Sequence, residues 1–130
     1  MPEEASPSRL RALVVEDSAA MRSFVTAALE QGGRYEVTTA QSGFEALREL
    51  PRTHFDLIIT DINMPDINGL ELVRFVRDSE RHKTTPLVLI STDSRTADRD
   101  RGMKLGADAY VVKPFEPHEL IAVVDRVMKK

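Results

Sequence analysis

Short apolar runs recur along the chain, each stopped by a polar residue and followed by a stretch of helical spacing. Leu10 to Val15 is apolar except for Arg11 and ends at Glu16-Asp17. Leu57 to Ile59 runs through Thr60 to Asp61. Pro86 to Ile90 ends at Ser91-Thr92-Asp93, and Ala109 to Val112 ends at Lys113-Pro114. Runs that are apolar on both faces and rich in β-branched residues read as strands buried within a parallel sheet. Tyr35 to Ala40 alternates more, which fits a sheet edge.

Helical patterns fill the intervals. Ser18 opens a helix with Met21, Phe24, Val25, Ala28 and Leu29 on one face, and Gly32-Gly33 stops it. Ser42-Gly43-Phe44-Glu45 has the capping-box pattern and leads a helix through Leu50, with Leu47 and Leu50 in its stripe. Pro65, Asn68 and Gly69 force a turn before a helix that buries Leu72, Val73 and Val76. Ser94 to Leu105 is helical in spacing but poorly apolar, with Ala97, Met103 and Leu105 as its anchors. So thinly anchored a helix is able to shift. Pro117 is placed at the first position of the last helix, whose buried face is Leu120, Ile121, Val124 and Val127.

Five strands alternating with five helices imply parallel pairing through right-handed crossovers. The fold class is therefore α/β, a doubly wound (βα)5 sandwich. The flavodoxin-like strand order 2-1-3-4-5 is one of the two common solutions. A length of 130 residues fits one domain, spanning residues 10–130, with residues 1–9 as a disordered lead-in. The absence of Cys excludes disulfides and thiolate metal sites. A net charge of −3 argues against nucleic-acid binding through bulk charge. No apolar run approaches the roughly 18 residues of a membrane span, and residues 1–8 lack a signal peptide's apolar core. The expected setting is cytoplasmic, with no membrane insertion.

The residues that end the strands carry the chemistry. In a parallel sheet Glu16, Asp17, Asp61, Ser91 and Lys113 share one edge. Three carboxylates together are costly unless a cation joins them, and an all-oxygen donor set suits Mg²⁺. Asp61, between the acidic pair and the lysine, is placed to act as a nucleophile that forms an aspartyl phosphate.

These residues resemble a known family. Leu13-Val14-Val15-Glu16-Asp17-Ser18, Asp61-Ile62-Asn63-Met64-Pro65, Gly69, Leu89-Ile90-Ser91 and Gly106 to Phe115 are similar to the motifs of response regulator receiver domains of two-component systems, especially the single-domain, chemotaxis-type (CheY-like) form. The resemblance covers residues 10–128. It implies that Asp61 is the phosphoacceptor and that Glu16, Asp17, Asp61 and the backbone carbonyl of Asn63 hold Mg²⁺. It implies further that Ser91 is the switch hydroxyl, that Lys113 contacts the phosphoryl group, that Tyr110 is the aromatic switch, and that Lys113-Pro114 is cis. A histidine kinase would be the phosphodonor, and a target protein would read the surface of the last two helices and last strand. The state is a monomer or a phosphorylation-dependent dimer.

Simpler readings stand beside these. Tyr110 is also explained as strand-end packing, and Arg95, Arg99, Arg101 and Lys104 as a solvated helix face that doubles as a partner surface. His54, His82 and His118 are given no metal or catalytic role. Alternatives for the whole chain are a degenerate receiver serving as a static interaction domain, an aspartate-nucleophile phosphohydrolase of the haloacid-dehalogenase type, and a flavin carrier. The hydrolase lacks its second Asp at Asn63, and the flavin carrier lacks a phosphate loop after the first strand. Asn63 and Asp93 are expected to tune the lifetime of the phosphoryl group. Thr92 stands where the family often has Ala or Gly, and its bulk is expected to narrow access to Asp61. Thr92→Ala should therefore speed phosphorylation by small donors; an unchanged rate would refute the steric role.

Overall fold

The computed structural model describes residues 9–92 and 96–129, without the side chain of Thr96. All of the expected lead-in but Arg9, and with it Asp93, Ser94 and Arg95, lies outside the described residues. In chain order the elements are β1 (Leu10–Val15), α1 (Ala19–Glu30), β2 (Tyr35–Ala40), α2 (Gly43–Glu49), β3 (Leu57–Asp61), α3 (Gly69–Asp78), β4 (Leu87–Ser91), α4 (Thr96–Leu105), β5 (Ala109–Val112) and α5 (Pro117–Met128). All strand pairs are parallel, in the order β2-β1-β3-β4-β5. This is the flavodoxin-like order expected from the pattern.

Alternation along the strands divides the core in two. Ala12, Val14, Leu57, Ile59, Val88 and Ile90 face α1 and α5, where Val25, Leu29, Leu120 and Val124 meet them. Leu13, Val15, Ile58, Leu87 and Leu89 face the other way, toward Ala46 and Leu50 of α2 and Leu72, Val73 and Val76 of α3. Strands buried on both faces explain why their sequences are continuously apolar. β2 has a half-exposed middle, as an edge strand should.

The helix ends refine the expectations. Ser18 caps α1, its hydroxyl accepting the Met21 N–H at 3.3 Å. Ser42 caps α2 by accepting the Glu45 N–H at 3.1 Å, but the reciprocal bond of a capping box is absent. Glu45 instead accepts the N–H of Gln41 at 2.9 Å, one residue earlier. A complete capping box occurs at α3, between Asn68 and Glu71. The expected anchors of α4 are also corrected. Ala97 and Met103 are exposed and only Leu105 is half-buried. The helix seats itself through Gly102, which is buried and has no room for a Cβ against Leu89.

His82, expected to be unremarkable, is fully buried in the α3–β4 connection. Its Nε2 accepts the Phe55 N–H at 3.0 Å, and its ring stacks on Phe55 and His54. Burial, helped by the charges of His54 and Arg81, lowers its pKa from 6.5 to about 4. Above pH 6.5 the ring is neutral whether the chain is folded or not. Between pH 6.5 and 4 the unfolded chain binds a proton that the folded chain rejects, so stability falls as pH falls. The full loss is about 3 kcal/mol. In urea unfolding from pH 7 to 4, His82→Gln, which keeps an acceptor but does not titrate, should lose markedly less stability than the parent chain. Parallel pH curves would refute this assignment.

Candidate functional site at the carboxyl edge of the sheet

Strand register assembles the site. Val15 pairs with Thr60, so Glu16 and Asp61 leave neighbouring strands side by side. Asp61 pairs with Ile90, and Ser91 with Val112, which brings Ser91 and then Lys113 to the same edge. The Lys113 ammonium joins the two buried carboxylates, with Nζ 3.0 Å from Glu16 Oε1 and 3.0 Å from Asp61 Oδ2. The remaining oxygens face backbone donors. Ser18 N–H donates to Glu16 Oε2 at 3.0 Å and Asn63 N–H to Asp61 Oδ1 at 3.1 Å. The Lys113–Pro114 peptide is cis.

The balance of burial and charge follows from these contacts. Burial pushes the Glu16 carboxyl above its ordinary pKa; the Ser18 N–H and Lys113 pull against it, and the negative charge of Asp61 adds to it. Burial alone would lower the Lys113 pKa. The bonds to Glu16 and Asp61 outweigh burial and raise it, so the ammonium stays charged. Asp17 is exposed beside them, and ligand oxygens of Glu16, Asp17 and Asp61 lie within 4.8 Å of one another. Three carboxylates face one ammonium, which leaves negative charge uncompensated. An oxygen-only cluster of that charge, open on the Asp17 side, fits a hard divalent cation such as Mg²⁺.

Several further groups hold this arrangement in place, of which the sequence reading passed over Arg22 and Asp66. Arg22 Nη1, one turn into α1, donates to the carbonyls of Glu16 and Asp17 at 2.9 and 3.3 Å. Asp66, in the loop after β3, accepts the N–H groups of Gly43 and Phe44 at the start of α2. Gly69 N–H donates to the Ile62 carbonyl at 2.8 Å, and a Cβ on Gly69 would collide with the Asp61 carbonyl and come 2.7 Å from Ile62 Cα. A glycine there lets α3 start directly against the backbone that carries Asp61.

The other expected residues fall at different depths. Ser91 is fully buried, and its Oγ accepts the side-chain amide of Asn63 at 3.3 Å. Thr92 is exposed next to it. Tyr110 is half-buried on β5, paired with Leu89 and packed on the α3-side core, outside the carboxylate cluster. Arg99, Arg101 and Lys104 are exposed on α4.

Comparison with known proteins agrees with this geometry. The chain matches the response regulator receiver domain family over residues 12–125. It is 38% identical to chemotaxis protein CheY1 of Helicobacter pylori, over 85% of this chain and 90% of that protein. It is 39% identical to a probable transcriptional regulatory protein of Picosynechococcus, over 88% of this chain but 47% of that one. The chain thus spans nine-tenths of one kind of relative and about half of another. Among solved structures it superposes, with a TM-score of 0.85 and 27% identity over 94% of this chain and 99% of the other, on the receiver domain of the Pseudomonas aeruginosa sensor histidine kinase PA1611, which has a magnesium ion coordinated in its active-site cleft. By this match over most of its length, the chain belongs to the response regulator receiver domain family.

Proposed function

We propose that the chain is a phosphoacceptor switch: a histidine kinase phosphorylates Asp61, and a target protein reads the changed surface around α4, β5 and α5. The observation that carries this reading is the Lys113 ammonium held 3.0 Å from both Asp61 and Glu16 at the rim of a three-carboxylate cluster. An oxygen of the Asp61 carboxylate attacks the phosphorus of the donor phosphohistidine. A P–O bond forms, the P–N bond breaks with its electron pair leaving on the imidazole, and an acyl phosphate results. Lys113 is placed to pair with the incoming phosphoryl oxygens. Glu16, Asp17, Asp61 and the Asn63 carbonyl would hold Mg²⁺, which when bound supplies positive charge opposite the transferring group. Glu16 is buried and Lys113 half-buried, and their mutual bond pre-orients them, so little reorganisation accompanies the transfer.

The product adds about −1.5 to −2 charge and three acceptor oxygens at the edge of the sheet. The Ser91 hydroxyl, now accepting from Asn63, would turn to donate to one of those oxygens. The Asn63 amide must then find another partner, which makes Asn63 a tuning residue. Movement at Ser91 frees space along β4 and β5 that Tyr110 can fill. The responsive element is α4, whose weak apolar anchoring lets a local charge event bias its position. Thr92, exposed beside Ser91, is a further tuning position, and Asp93 keeps the tuning role expected of it from the sequence. Such a domain signals through its surface, and a degenerate, static version of it is the competing reading.

Intact-mass measurement after incubation with Mg²⁺ and acetyl phosphate separates the two. The parent chain should gain one phosphoryl group; the gain should vanish with EDTA and in Asp61→Asn. No gain in the parent, even with Thr92→Ala, would establish the static domain instead.

A further inference from the structure

On the opposite edge of the sheet, where the strands begin, one cavity is lined mainly by basic residues. Arg9 leads into β1 and Arg11 lies at its start, Arg52 follows α2, and His54 and Asp56 precede β3. With Thr53 these residues line an open cavity of about 410 Å³. Asp56 is locked to β1 on both sides: its N–H donates to the Arg11 carbonyl at 2.7 Å, and its Oδ2 accepts the Arg11 N–H at 2.8 Å. Its other oxygen lies 3.7 Å from His54 Nε2. The one carboxylate of the cavity is therefore taken up by the Arg11 main chain and His54 rather than by a guanidinium group. Among the described residues, none of the three guanidinium groups has a hydrogen bond or an ion pair. Arg22, Arg34 and Arg77, by contrast, all bond carbonyl or carboxylate oxygens.

Three unpaired forks around one cavity form a ready anion site, since guanidinium binds phosphate oxygens two at a time. His54 adds a second element. Its ring stacks on His82 at 5.6 Å and 11°, yet its side chain is 60% exposed. One face is therefore held and the other is available for a planar group. The cavity is of a size that small-molecule sites commonly have.

We propose that this edge binds a nucleoside diphosphate or triphosphate, with its phosphates on Arg9, Arg11 and Arg52 and its base on the open face of His54. Asp56 and Asp61 bracket β3, so this site lies roughly 16 Å along the strand from the carboxylate cluster. The ligand approaches without meeting the acidic edge, and the proposal does not depend on phosphorylation of Asp61.

The test uses the full chain at low salt with EDTA, titrated with ADP and followed by calorimetry and by amide NMR. The expected result is saturable one-to-one binding with shifts at Arg9, Arg11, Thr53 and His54. Arg11→Gln and Arg52→Gln, both exposed positions, should each weaken it at least 10-fold, while Asp61→Asn leaves it unchanged. Pyrophosphate should bind more weakly than ADP, and His54→Ala should remove that difference. Non-saturating shifts that are the same in the arginine variants overturn the site, and ADP no tighter than pyrophosphate overturns its nucleoside specificity.

Discussion

The position of one ammonium group organises the acidic edge of this protein. Glu16 is fully buried and Asp61 nearly so, and two carboxylates at that depth repel each other and resist desolvation. Lys113 Nζ, 3.0 Å from each, makes the pair tolerable. The three residues come from β1, β3 and the end of β5, so the bond also fixes how the far strand sits against the centre of the sheet. Every later property depends on this balance. The ammonium is charged because the carboxylates hold it so, and the charge of the nearly buried Asp61 is compensated by it in turn.

Around that centre the protein divides into a rigid part and a loose part. Arg22 and Gly69 clamp the backbone that carries the carboxylates through bonds to main-chain carbonyls, and the Ser18 N–H holds the Glu16 carboxylate itself. At the other end of α3, Arg77 reaches the Gly106 carbonyl at 2.9 Å and Asp108 at 3.0 Å, and so ties the starts of β4 and β5 together. Among the described residues α4 has no comparable polar anchorage, and of its large side chains only Leu105 packs on the core. It rests on a glycine face, with its long side chains in solvent. A switch needs this asymmetry: a stiff frame that registers a charge and one element whose position costs little to change.

The two edges of the sheet each carry a charged cluster, of opposite sign. Three carboxylates gather where β1 and β3 end, and three guanidinium groups line a cavity where β1 begins, although the chain as a whole carries a charge of only −3. Composition averages this separation away. It emerges because parallel strands collect all their starts on one side and all their ends on the other.

Most of the fold was legible in the chain. Apolar runs long enough to cross a sheet, each followed by a helical stripe, leave little choice but a parallel doubly wound sheet, and the polar residue after each run named Glu16, Asp17, Asp61, Ser91 and Lys113 as neighbours. What the pattern could not show were contacts between residues whose own neighbourhoods look ordinary. Asn63 beside Ser91, Asp66 at the start of α2, and Glu45 reaching Gln41 rather than Ser42 all depend on loop paths. The loss of Ala97 and Met103 as anchors has the same origin: a helix that docks through Gly102 hides its packing face in the absence of a side chain. His82 and the arginine-lined cavity likewise required the third dimension. Local periodicity determines which residues are inside and in what order the strands run, because burial and backbone geometry act over a few residues. Which polar groups end up partnered, and which are left facing an open cavity, is decided only when segments far apart in the chain are brought within 3 Å.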